Sequence, residues 1–352
     1  MSTRARDPDP DDPPSDSGRA HRHLLRHAPI ENSAFGRICA AIAISPCLAT
    51  LALAKCDIDA EYAEYLGHAL AGHTELTSLD LSDNPITARG LASLAPALRK
   101  LVHLRELALR GSALGGEAAV EWIFPVCPAL VTLDLRRNGI GEQQISHLAA
   151  ALPQMGHLET LLLDSNPLGI CGAAHLGKAL RAMPQLVHLS LANTDIREDG
   201  TLEICLAFDV LANLNEIDLS NNGIGDAGAC VVAAAWMHVD PRRIALRNNG
   251  IGEQGLRYLL LAKQGHPCTL DLRGNPLSKA GATAMFDAMR NGYCVGKTYR
   301  LGRSGIHART RNGLRAAAER AGSGVCFGGR GSLCWDGNRR PRHSDIAPES
   351  SG

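Results

Sequence analysis

Arg110, Arg136, Arg247 and Arg273 recur at one position of a repeated phrase, and Asp164 holds that position in a further copy. Two residues earlier stand Asp80, Asp134, Asp218 and Asp271, with Arg300 in the last copy. A guanidinium offers a planar fork of donors that fits a carboxylate or a phosphate. Charges of both signs at fixed offsets describe a recognition surface, or one that neutralises itself. Residues that would carry a reaction are scattered instead. The histidines fall in different copies, and neither Ser nor Cys stands in a G-x-S-x-G elbow of the kind that exposes a nucleophile. Eleven cysteines are spread without a C-x-x-C pair or a cysteine–histidine metal spacing. The histidine-rich "HRHLLRH" at 21–27 has no carboxylate or cysteine fixed nearby and reads as a basic helical turn. No metal and no cofactor are expected.

The phrase itself must position these side chains. "LTSLDLSDNPITARGLASLAPAL" begins at Leu76, and close variants begin at Leu130, Leu158 and Leu214. Aligned on L-x-x-L-x-L-x-x-N, units start at Leu48, Leu76, Leu104, Leu130, Leu158, Leu186 and Leu214. Weaker copies start at Pro241, Pro267 and Gly296, all spaced 26 to 29 residues apart, a leucine-rich-repeat period. Alternation around Leu79 and Leu81 predicts a short strand with one buried face. Leu91, Leu94 and Leu98, three and four apart, predict a helix with one apolar face. Neither element buries its apolar side alone, so about ten strand–helix units stack into an α/β solenoid, a horseshoe with a parallel concave sheet and convex α-helices. Each strand ends at a short polar residue: Cys56, Asn84, Ser112, Asn138, Asn166, Thr194, Asn222, Asn249, Asn275 and Ser304. There the backbone loses its ladder partners, and a short side chain can replace them. These positions are read as structural.

"NGIGEQQISHLAAAL", "NPLGICGAAHLGKAL" and "NNGIGDAGAC" follow the pattern Asn-x-Ile/Leu-Gly, then Gly-Ala-x-x-Leu-Ala. Over residues 48–321 the chain thereby resembles the ribonuclease-inhibitor-like class of leucine-rich repeats. That class spans enzyme inhibitors, GTPase activators, immune-receptor sensors and secreted bacterial effectors, so the resemblance implies the fold and leaves the function open. One of its branches inserts an arginine finger, which needs a single well-placed arginine. The "GLASLA" and "GAAHLGKAL" helices also resemble the GALA-type repeats of plant-pathogen effectors. Those effectors usually carry an N-terminal F-box, which residues 1–47 do not show.

Charge narrows the partners. Lys plus Arg and Asp plus Glu both number 36, which gives no bulk attraction to nucleic acid or to an anionic membrane. The apolar stretch 38–56 lies far from the N-terminus and is interrupted by Pro46, so it reads as core rather than a signal or membrane helix. Scattered cysteines suit core filling in a reducing, cytoplasmic setting, with secretion into a host cell as the alternative. The chain divides into a polar tail (1–30), a capping helix (31–47), the array (48–321) and a Gly-rich tail (322–352). In that last tail Cys326 and Cys334 could pair, and "NRRPRH" reads as a solvated basic run.

Function is expected on the concave face. Its candidate partner-binding residues are Asp80, Arg110, Asp134, Arg136, Arg137, Asp164, Glu216, Asp218, Arg243, Arg247, Asp271 and Arg273. With Lys55, Asp83, Glu106, Arg300 and Arg303 the face carries nine basic and eight acidic residues, too balanced for an inhibitor of a basic ribonuclease. Strands about 4.8 Å apart make Arg110 and Arg136 lateral neighbours, and likewise Arg247 and Arg273. Either Asp134 and Asp271 neutralise these pairs, or a partner's carboxylates or phosphates do. No aromatic residue is placed on this face, and Trp122 and Trp236 fall at helix core positions. The expectation is a monomeric, non-catalytic scaffold for a protein partner, with a secreted effector or a GTPase-activating regulator as alternatives.

Overall fold

The computed structural model describes residues 23–24, 32–45, 47–115, 127–262, 266–302 and 304–327. Trp122, Arg303, Cys334, the 338–343 basic run and most of both tails lie outside the described residues. Among the described residues, one parallel sheet of 12 strands runs in strict sequence order. Its strands are β1 (His23–Leu24), β2 (Thr50–Ala52), β3 (Ser78–Asp80), β4 (Glu106–Ala108), β5 (Thr132–Asp134) and β6 (Thr160–Leu162). They continue with β7 (His188–Ser190), β8 (Glu216–Asp218), β9 (Arg243–Ala245), β10 (Cys268–Asp271), β11 (Lys297–Arg300) and β12 (Gly324–Cys326). Between them lie helices α1 (Asn32–Ala43), α2 (Ala60–Leu70), α3 (Thr87–Leu98), α4 (Glu142–Ala151) and α5 (Gly169–Leu180). Further along are α6 (Arg197–Cys205), α7 (Gly225–Ala235), α8 (Glu253–Leu261), α9 (Lys279–Arg290) and α10 (Ala308–Arg320).

The expected α/β solenoid is what forms. The middle residue of each strand is apolar and in register with the next: Leu79 faces Leu107, which faces Leu133, which faces Leu161. These residues and the second strand leucines, such as Leu81 and Leu109, are fully buried. On the helix side Leu91, Leu94 and Leu98 are buried together, as their spacing requires. The sheet reaches one strand further than the repeats indicate at each end. β1 falls inside the stretch read as a tail and helical turn, yet it pairs with β2. β12 pairs with β11 beyond the last legible unit. A terminal strand left bare would expose a row of unpaired amides and carbonyls, which both additions cover. Cys326, in β12, is disulfide-bonded.

The strand-end asparagines form a ladder that ties each unit to the one before. Asn166 Oδ1 accepts from the amides of Asn138 (2.9 Å) and Ile140 (3.0 Å), while its Nδ2 donates to the carbonyls of Leu135 and Leu163. Asn84, Asn138, Asn222, Asn249 and Asn275 repeat the arrangement, each donating back to the preceding strand. A planar amide with both donors and acceptors satisfies the groups the turn strips from the sheet.

Helix α1 closes the array as a cap. Phe35 packs on Tyr62 at 4.7 Å between ring centroids, and His73 Nε2 lies 2.7 Å from the Ile42 carbonyl. The apolar stretch 38–56 therefore supplies the end of α1 and the buried strand β2. No helix among the described residues is long and apolar enough to cross a membrane. Trp236 is core, as its position predicts. Beside it lies a residue with no sequence signal: Lys297, wholly buried, whose Nζ donates to the carbonyls of Leu260 and Ala262 at the end of α8 and sits 5.1 Å from the Trp236 ring centre. The ammonium thus caps a helix C-terminus, where the backbone dipole favours positive charge. Burial pulls its pKa down.

Candidate functional site

The outward strand positions and the second residue after each strand build the concave surface. Much of its charge is already committed. Arg136 holds Asp134 in a two-point pair, Nε to Oδ1 at 2.8 Å and Nη2 to Oδ2 at 2.5 Å. Arg273 holds Asp271 in the same way, at 2.8 and 2.6 Å. These hydrogen bonds outweigh burial and raise the pKa of both arginines. Arg247 reaches back one strand, to Asp218 Oδ2 at 2.7 Å and to Ser220 Oγ at 3.1 Å, and its Nε lies 3.9 Å from Asp271. Of the lateral arginine pairs inferred from the sequence, Arg247 and Arg273 are therefore both neutralised within the chain, and in the other pair Arg136 is. Asp271 has no exposed surface and Asp134 almost none, so a partner would meet their arginines first.

The remaining candidates differ in how free they are. Asp164 accepts from Ser190 Oγ and from the Ala192 amide, yet burial, its first cause, raises its pKa, with the Asp218 charge adding to the effect. Arg243 approaches Glu216 at 3.7 Å. Asp80 accepts from the Ser82 amide, and Glu106, outside the candidate set, accepts from Ser78 Oγ. Arg137 is an exposed turn residue with φ +56°. Arg110 and Arg300 take part in no ion pair among the described residues. Their Nε atoms, and that of Arg243, are buried without an acceptor.

Among the described residues, hollows open on this face over two stretches of the sheet. The first, about 690 Å³, lies over β2–β5 against Thr50, Ala52, Ser78, Asp80, Glu106 and Ala108. A second, about 280 Å³, lies over β6–β9 against Thr160, Leu162, His188, Ser190, Glu216 and Arg243. Sequence reasoning passed over His188, Ser190 and Ser220, although they occupy the same outward positions as the charged candidates. A serine, a histidine and carboxylates do meet here, but the Ser190 hydroxyl donates to Asp164 rather than to an imidazole, so it forms no serine–histidine pair. No group of three His, Cys, Asp or Glu side chains among the described residues is placed to hold a metal.

Repeat period, register and asparagine ladder together define a leucine-rich-repeat solenoid. The family model described as Leucine Rich repeat matches residues 72–95 and 210–231. The chain is 32% identical over 121 residues to NACHT, LRR and PYD domains-containing protein 5 of Bos taurus, across 33% of this chain and 11% of that protein. It is 34% identical over 145 residues to NACHT, LRR and PYD domains-containing protein 2 of Homo sapiens, across 40% of this chain and 14% of that one. It thus spans a small fraction of the length of the curated relatives it matches. A crystal structure of a TLR13–ssRNA13 complex is similar with a TM-score of 0.45 and 18% identity, over 76% of this chain and 35% of that one.

Proposed function

We propose that the chain is a non-catalytic protein-interaction scaffold that holds a protein partner on its concave face. The observation that carries this reading is a continuous open sheet whose outward side chains are mostly polar, many of them partly exposed, from β2 to β11, a broad preformed surface of the kind repeat solenoids use for binding. Acting by binding rather than by chemistry fits a face on which hydroxyls and charges are engaged mainly with one another. The arginine-finger alternative is narrowed, because Arg136, Arg247 and Arg273 are each held by carboxylates.

A test should alter the face without breaking its internal pairs. Ala108→Arg with Thr160→Arg fills both hollows, and neither residue belongs to an ion pair. Proximity-crosslinking pull-downs would compare this variant with the unaltered chain. A partner captured by the unaltered chain and lost by the variant supports the concave face. A partner held equally by both moves the site to the convex hollow between α1 and α2, where Phe35, Tyr62 and Tyr65 gather.

A further inference from the structure

The concave face is polar along its length. On the outward positions of β5–β8, Asp134, Asp164, Glu216 and Asp218 stand against Arg136 and the exposed turn residue Arg137. On β9–β11 the balance reverses, and Arg243, Arg247, Arg273 and Arg300 stand against Asp271 alone. The two regions meet at β8–β9, where Arg247 pairs with Asp218 and Arg243 approaches Glu216, so the unmatched positive charge lies away from that seam, toward β11. Among the described residues of the basic third, Arg300 has no ion pair, Arg243 has only a long contact to Glu216, and both leave Nε without an acceptor. Thr269 and Thr298 lie between them on the same face.

We infer that the concave surface of β9–β11 docks a short acidic segment of a protein partner, its Asp or Glu carboxylates seated on Arg243 and Arg300. This deepens the scaffold reading and rests on it. Charge complementarity selects the occupant, and the neighbouring strands set its size. The outer strands of the patch are about 10 Å apart, room for a few residues of extended chain. A polyanion tracking the sheet, such as RNA, would run onto the carboxylates of β5–β8 and be repelled. Carboxylates also match the fork geometry that an arginine presents.

Fluorescence anisotropy on the full chain tests this, with a labelled hexapeptide of alternating Asp and Glu, its Asn/Gln counterpart and a single-stranded RNA 12-mer as probes. The acidic peptide should bind best. Arg243→Gln with Arg300→Gln should weaken it about tenfold or more, as expected for two charge-assisted contacts, with the melting curve unchanged. Arg181→Gln, an exposed arginine just after α5 and away from the concave face, should leave binding as it was. Equal binding of the neutral peptide, indifference to the double substitution, or RNA binding at least as tight would overturn the inference. So would a tenfold gain on changing Asp7, Asp9, Asp11 and Asp12 to Asn, because the chain's own acidic run would then be the occupant. If any of these occurs while Ala108→Arg with Thr160→Arg still abolishes partner capture, the acidic-segment assignment fails and the concave-face reading stands.

Discussion

At the scale of single residues, the asparagine ladder and the positive-φ turns carry more of the architecture than their exposure suggests. Asn166 makes four buried hydrogen bonds, three to the preceding unit and one within its own. Truncation to Ala orphans backbone groups in both of these units, and Asn166→Ala should cost about 3 kcal/mol or more. Chemical denaturation would read this directly, and a loss below about 1 kcal/mol would mean water replaces the amide. Ser112 occupies the same position, with its Oγ buried and unpartnered. Ser112→Asn should restore the missing rung and stabilise by about 1 kcal/mol, seen as a raised melting temperature. Thr87 sits at φ +61°, where the equivalent residues of other units are Gly169 and Gly225, and its Oγ1 is also orphaned. Thr87→Gly removes the left-handed strain of a β-branched residue and should gain about 1 kcal/mol. An unchanged or lower melting point would show that the loss of helix propensity at the start of α3 outweighs that relief.

Between elements, the helices pack at spacings that particular small residues set. A Cβ added to Gly177 on α5 would lie 2.3 Å from the Glu203 carbonyl of α6. Backbone cannot step aside as a side chain can, so Gly177→Ala should force α5 from α6 and cost about 2 kcal/mol or more. Amide exchange would show the defect first in α5 and α6, while uniform exchange across the array would argue against a local origin. Such contacts explain what the letters do and do not reveal. The strands were legible from Leu79 and Leu81 because a period of two with one buried face has few other uses. The asparagines were legible because their chemistry answers a backbone need that recurs in every unit. β1 and β12 were not, since His23–Leu24 and Gly324–Cys326 carry no leucine pattern and are strands through pairing with β2 and β11. On the candidate site, neutralisation of Arg136 by Asp134 and of Arg273 by Asp271 was one of two readings open in the sequence. The reach of Arg247 to the preceding strand was not visible, because it depends on rotamer and register rather than on spacing along one strand. The charge polarity was present in the letters and vanished when the face was summed as a whole.

At the scale of the whole molecule, stability is distributed along the array, and so are buried thiols. Cys127 lies before β5, Cys205 at the end of α6 and Cys268 in β10, all three buried. Burial pushes their pKa values up, to about 11 for Cys127 and about 12 for Cys205 and Cys268. An acid whose folded pKa is raised contributes its stability fully below the unfolded value, 9.0 for a thiol, and loses it as pH rises toward the folded one. Above pH 9 the unfolded chain releases protons that the native chain keeps, so unfolding becomes easier. Three such thiols together remove about 4 kcal/mol by pH 10. Tyr299, raised well above 10 by burial, adds to the loss at higher pH. Lys297 opposes it: its folded pKa is lowered, so its burial becomes less costly as pH climbs toward the unfolded value of 10.5. One ammonium does not offset three thiols, and the net slope is downward. Urea midpoints should therefore fall between pH 8 and pH 10. The fall should be much smaller with Cys127, Cys205 and Cys268 all replaced by Ala, although cavities lower that variant's stability at every pH. A parallel fall in both proteins would place the alkaline sensitivity elsewhere, whereas a flattened response would show that the array tolerates its cysteines only while it keeps them protonated.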